Sequence, residues 1–88
     1  MFGLPFRTDV AILYAELVEP GVMEIGLECG EDPVSSVDES ERQVIIDVRM
    51  KVRRGDCGTA VMVELDDPLG DRTVIDSYDG AVVDVARG

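Results

Sequence analysis

The chain has 88 residues, of which 19 are Asp or Glu and 8 are Lys or Arg, giving a formal net charge of −11. That length supports one domain spanning residues 1–88 with a modest core, and that charge repels phosphate backbones, which argues against nucleic acid as a partner. With no His and no Trp, the usual zinc ligand and neutral-pH base are missing, and no run approaches the ~20 apolar residues of a membrane-inserted helix.

The opening "MFGLPFRTDV" has no basic region followed by an apolar stretch, so no signal peptide is expected there. Residues 8–21, "TDVAILYAELVEPG", fit two readings. Val10, Leu13, Tyr14, Leu17 and Val18 make a helical stripe that Thr8 or Asp9 would cap. Pro20-Gly21 instead reads as a turn, with a strand from Ala11 to Val18 pairing with residues 22–29, and this second reading suits the neighbouring strands better. In "VMEIGLEC", Met23, Ile25, Leu27 and Cys29 alternate with Val22, Glu24, Gly26 and Glu28, the period of a half-buried strand. Residues 30–41, "GEDPVSSVDESE", read as an acidic loop holding at most a short strand around Val34 to Val37. The clearest element is "QVIIDVRMKVRR", residues 43–54: Val44, Ile46, Val48, Met50 and Val52 all fall on one face of a strand. "AVMVEL" turns Val61, Val63 and Leu65 inward, and "TVID" (73–76) and "AVVDV" (81–85) are shorter strands.

Two corners separate these runs. In "DDPLGDR", Pro68 presets φ for a turn and Gly70 supplies the positive φ that re-enters a strand. Asp79-Gly80 is a two-residue hairpin signal of the primed type. The pattern predicts an all-β fold, a small antiparallel sandwich or partly open barrel of about five to seven strands. Its core is aliphatic, because only Phe2, Phe6, Tyr14 and Tyr78 are aromatic.

The same residues argue against chemistry. The carboxylate neighbours Asp66 and Asp67, and Glu31 and Asp32, fall in turns where they stay solvated. Neither acidic segment has the ligand spacing of a calcium loop. No catalytic residue, metal ligand or cofactor is therefore assigned. Arg49, Lys51 and Arg53 line the outward face of residues 45–53. They either pair across strands with Glu24, Glu28 and Glu64 or form a partner face. Cys29 and Cys57 are one disulfide or two buried thiols, and the disulfide is the expected state. Closing a loop of roughly 28 residues would contribute about 3.5 kcal/mol, a large share of what so small a core supplies.

Cys29-x-x-x-Pro33, Asp56-Cys57 and "VELDDPLGDRTVID" together resemble a group of small uncharacterised β domains in actinobacterial proteins. Their signature, V-x-L-x-x-PLG-x-R-x-V-x-D after two cysteines, is filled here by Val63, Leu65, Pro68, Leu69, Gly70, Arg72, Val74 and Asp76. The likeness spans roughly residues 22–85 and implies a secreted or membrane-tethered domain, but no activity. Arg72 follows the turn, where its planar fork is placed to bond carbonyls, Asp67 or Asp76 and lock the corner.

Two functions from different classes follow. The first is a non-catalytic binding or accessory β domain that uses strand edges or the outward face of residues 45–53. The second is an acidic inhibitor or immunity-type protein that occludes a basic protein surface. Exposed edges also favour a homodimer, through sheet extension or through Val22, Ile45 and Met62. A bonded Cys29–Cys57 pair implies a secreted or cell-surface location, and free thiols a cytoplasmic one.

Overall fold

In a computed structural model of the chain, residues 6–87 are described. The start of the segment read for a leader, residues 1–5, lies outside them. The described residues form nine strands and no helix: β1 (Thr8–Asp9), β2 (Tyr14–Glu19), β3 (Val22–Leu27), β4 (Gly30–Glu39), β5 (Gln43–Val52), β6 (Thr59–Glu64), β7 (Thr73–Asp76), β8 (Val82–Val83) and β9 (Val85–Arg87). Among the described residues two sheets pack face to face as a sandwich, with no closed barrel.

The first sheet is built on β5. Strand β4 runs along one side of it. On the other side β1 meets its C-terminal part, with Thr8 opposite Met50, and β7 meets its N-terminal part, with Gln43 opposite Thr73. Strand β8 lies beyond β7. The second sheet has the order β6-β3-β2-β9. Period-two alternation then fills the space between the sheets. Val44, Ile46, Val48 and Met50 of β5 meet Met23, Ile25 and Leu27 of β3, with Ala15, Val63 and Val74 beside them. Each such side chain contributes about 1.5–3 kcal/mol through burial. Val10 and Leu69 plug the core from connecting segments.

Residues 14–19 are a strand, as the turn at Pro20-Gly21 suggested, because β2 has β3 on one side and β9 on the other. Several expectations change. Of the acidic loop expected at 30–41, residues 30–39 are the ten-residue strand β4. Its polar composition suits an edge, and β5 supplies a full-length partner, so pairing overrides weak β propensity. Not every pairing is antiparallel: β5/β7 and β2/β9 are parallel. Both follow from chain crossings between the sheets, which bring a later strand alongside in the same direction. The segment 81–85 divides for the same reason, β8 joining the first sheet and β9 the second. Val52 lies past the end of the core and is exposed.

The corners also differ from hairpins of the simplest kind. "DDPLGDR" carries the chain from β6 in one sheet to β7 in the other. Strands β7 and β8 do form a hairpin, but its loop is longer than Asp79-Gly80. The Asp76 N–H bonds the Ala81 carbonyl, and the Gly80 N–H bonds the Asp76 carbonyl at 2.8 Å. Gly80 alone in this loop has a positive φ, 74°, whereas a primed two-residue turn needs two such residues. Val22 and Met62 lie on the outer face of the second sheet and Ile45 on that of the first, so the three do not share a surface.

Candidate functional site

Three surfaces carry the residues singled out from the sequence. The first is the corner. Gly70 has a φ of 58°, which lets the chain reverse after Pro68 while Leu69 turns into the core, its N–H on the Pro20 carbonyl at 2.8 Å. Arg72 uses its whole fork. Nε donates to the Leu69 carbonyl at 3.2 Å, one terminal nitrogen to Glu39 Oε1 and the Ser40 carbonyl, and the other to the Asp67 and Pro68 carbonyls at 3.1 and 3.0 Å. It touches neither the Asp67 nor the Asp76 carboxylate. Glu39 Oε2 accepts the Asp66 N–H at 2.7 Å; this bond foremost, then Arg72, holds the Glu39 carboxyl below its usual range. Arg72 is thus a structural clasp between the corner and the end of β4, with no donor left for a ligand.

Asp76 does other work. Its side chain is 4% exposed, and it accepts the Ile12 N–H on one oxygen and the Tyr78 N–H on the other, both at 2.9 Å. It ties the β1–β2 crossover to the β7–β8 loop. Asp79 accepts the Ala81 N–H at 3.0 Å, so the Asp79-Gly80 pair shapes the loop. Asp76, Asp79 and Asp84 border one cleft, yet the first two are engaged by backbone amides. No group of three or more acidic or cysteine side chains among the described residues is placed to hold a metal ion.

The second surface is the outer face of the first sheet. Arg49 pairs with Asp9 at 3.1 Å and Asp47 at 3.5 Å, Lys51 with Asp32 at 3.0 Å, and Arg53 with Glu31 at 2.7 Å. The Lys51 contact lowers the Asp32 pKa, and Glu31 raises that of Arg53. The carboxylates differ from those expected. Glu24 and Glu64 belong to the second sheet, whereas β1 and β4 flank β5 and present their own acids. The cationic stripe is thereby neutralised within its own sheet.

The third surface is the outer face of the second sheet, from which the sequence named Glu24 and Glu64 as pairing acids and Val22 and Met62 as dimer contacts but no common site. Register places Tyr14 beside Gly26, Gly26 beside Ala60, Glu16 beside Glu24 and Ala86, Glu24 beside Met62, and Val22 beside Glu64. Two glutamates directly opposite each other repel, and among the described residues no Lys or Arg occupies this face. The Tyr14 ring covers Gly26, where any Cβ would intrude on the ring, and its hydroxyl donates to Glu24 Oε2 at 2.7 Å. That hydrogen bond, burial and the charges of Glu24 and Glu16 raise the Tyr14 pKa. Tyr14 and Met62 remain 47% and 51% exposed. The signal in the sequence was the outward set Tyr14, Glu16, Glu24, Met62, Glu64, legible only once β2, β3 and β6 were known to be neighbours.

At one end of the sandwich Cys29, at the β3–β4 crossover, and Cys57, before β6, meet at disulfide distance, their Cα atoms 4.8 Å apart. Thr59 Oγ1 bridges the N–H and carbonyl of Gly30 beside them. Such a pair is compatible with an extracellular location. No family model, no curated protein and no solved structure matches this chain.

Proposed function

We propose that the protein is a non-catalytic binding domain that docks a basic protein through the outer face of its second sheet. One observation carries this reading: Glu16, Glu24 and Glu64 surround exposed Tyr14 and Met62 on a face without cations among the described residues, while Arg49, Lys51 and Arg53 are occupied on the opposite sheet. Aromatic and methionine side chains supply contact area, and the acids steer and select a cationic partner. This merges the binding-domain reading with that of an acidic protein occluding a basic surface, and it moves the docking face away from residues 45–53. Phosphate backbones would be repelled, so the partner is a protein and not nucleic acid.

A bonded Cys29–Cys57 pair supports a secreted or cell-surface location. The reading is tested with poly-lysine as probe. Binding should weaken steeply at about 0.5 M salt, where screening acts within roughly 4 Å, and should be lost in the Glu16→Lys, Glu24→Lys double variant. A double variant that still binds like the wild type, while remaining folded, refutes the assignment.

A further inference from the structure

The two sides of the sandwich are unlike. On one, the chain crosses between sheets at Val10–Leu13 and again at Asp84, so β1 with β2 and β8 with β9 close the gap. On the other lie the free edges of β4 and β6. Strand β4 is guarded in the ways that edges usually are: Pro33, a register shift between Glu31 and Val34, a positive φ of 55° at Asp32, and four acids. Strand β6, Thr-Ala-Val-Met-Val-Glu, has no proline, no lysine and no bulge. Among the described residues it pairs only with β3, and side-chain bonds tie it to β4 solely at its first residue, Thr59, and past its last, at Asp66.

The register fixes which backbone groups are free. The Leu65 N–H bonds the Gly21 carbonyl at 2.8 Å, continuing the β3–β6 ladder by one step. In an antiparallel pair, alternate residues direct both polar groups at the partner strand. Val61 and Val63 therefore face β3, and Ala60, Met62 and Glu64 hold their N–H and C=O groups toward the open edge. A strand laid there would place alternate side chains beside Ala60, Met62 and Glu64, in line with Glu24 and Glu16, and the others over Val61 and Val63.

We infer that β6 is a strand-addition site, and that an extended, alternating cationic and apolar segment of a basic protein joins the second sheet as its fifth strand. This rests on the proposed docking face and specifies how the partner engages it. Backbone pairing supplies affinity, and the glutamate rows select Lys or Arg at alternate positions. A second copy of this chain is disfavoured on the same edge, because each carries a net charge of −11.

The probe is the blocked peptide Lys-Val-Lys-Val-Lys-Val-Lys, with the same peptide carrying backbone N-methyl groups on its three central residues as a control that keeps every charge but is unable to pair as a strand in either direction. Peptide binding should slow amide exchange at Ala60, Met62 and Glu64, and the control should bind at least about tenfold more weakly. Met62→Pro removes one free N–H without touching the β3 ladder, a place where edge strands tolerate proline; it should cost a similar factor. The exchange measurement on the wild type decides the matter even if that variant does not fold. Equal binding of both peptides, or no protection at those three amides, overturns strand addition. Loss in the Glu16→Lys, Glu24→Lys variant but not in Met62→Pro sinks the edge alone, and the reverse pattern sinks the acidic face alone. Protection of the same amides without peptide, growing with protein concentration, would replace the basic partner with a second copy and also overturn the proposal.

Discussion

Replacing Arg72 with alanine removes five hydrogen bonds at once. They do not add. Water reaches the Asp67, Pro68 and Ser40 carbonyls once the side chain is gone, so those losses are small. The Leu69 carbonyl keeps the backbone N–H of residue 72 at 3.2 Å, so the larger loss is at Glu39, whose side chain is only 16% exposed and is left without its cation. A truncation of this kind costs about 2–3 kcal/mol. For 88 residues the entropy of unfolding is about 0.18 kcal/mol/K near the midpoint, so Tm should fall by about 11–16 °C. Arg72→Lys should recover less than half of that, because an ammonium cannot bridge carbonyls on three sides. Differential scanning calorimetry at neutral pH reads both variants. A fall of less than about 2 °C for Arg72→Ala would refute the view of Arg72 as a clasp.

Native protein purified without reductant should show no titratable thiol. Reduction should destabilise it by about 3.5 kcal/mol, the loop-closure value for a sequence separation of 28, as measured by urea unfolding with and without reductant. In spectrophotometric titration, Glu24→Gln should lower the midpoint of Tyr14, since a neutral amide no longer opposes phenolate formation. Glu39 has a depressed folded-state pKa, so its stabilising effect is fully present above the unfolded glutamate value of about 4.3 and is lost as pH falls through the folded one. The stability gap between wild type and Glu39→Gln should therefore close in acid. A gap of constant size from neutral pH down to acid would contradict the pairing.

The parts of the fold that were legible in the sequence are those where burial and pattern agree. Val44 to Met50 and Met23 to Leu27 alternate because one face meets a core. The segments that misled are those where a partner strand decides. Residues 30–39 are polar enough to pass for a loop, yet β5 offers them a ladder along their whole length. Val82 to Val85 looks like one strand, and no local signal marks Asp84 as the point where the chain changes sheets. Arg72 was legible as a lock from its place after the turn, but its partner Glu39 lies 33 residues away and could not be named. The cation stripe was visible as well, whereas its counter-charges depend on which strands flank β5. The outward side chains of the acidic face were visible strand by strand, but Glu16, Glu24 and Glu64 become one surface only through the order β6-β3-β2.

The docking face is tested most directly by following backbone amide shifts of the wild-type protein while poly-lysine is added at low salt. The shifts should cluster on Tyr14, Glu16, Glu24, Met62 and Glu64 and leave the outer side of β5 unmoved. Shifts concentrated instead on the carboxylates of β4, or spread evenly over every acidic residue, would contradict it.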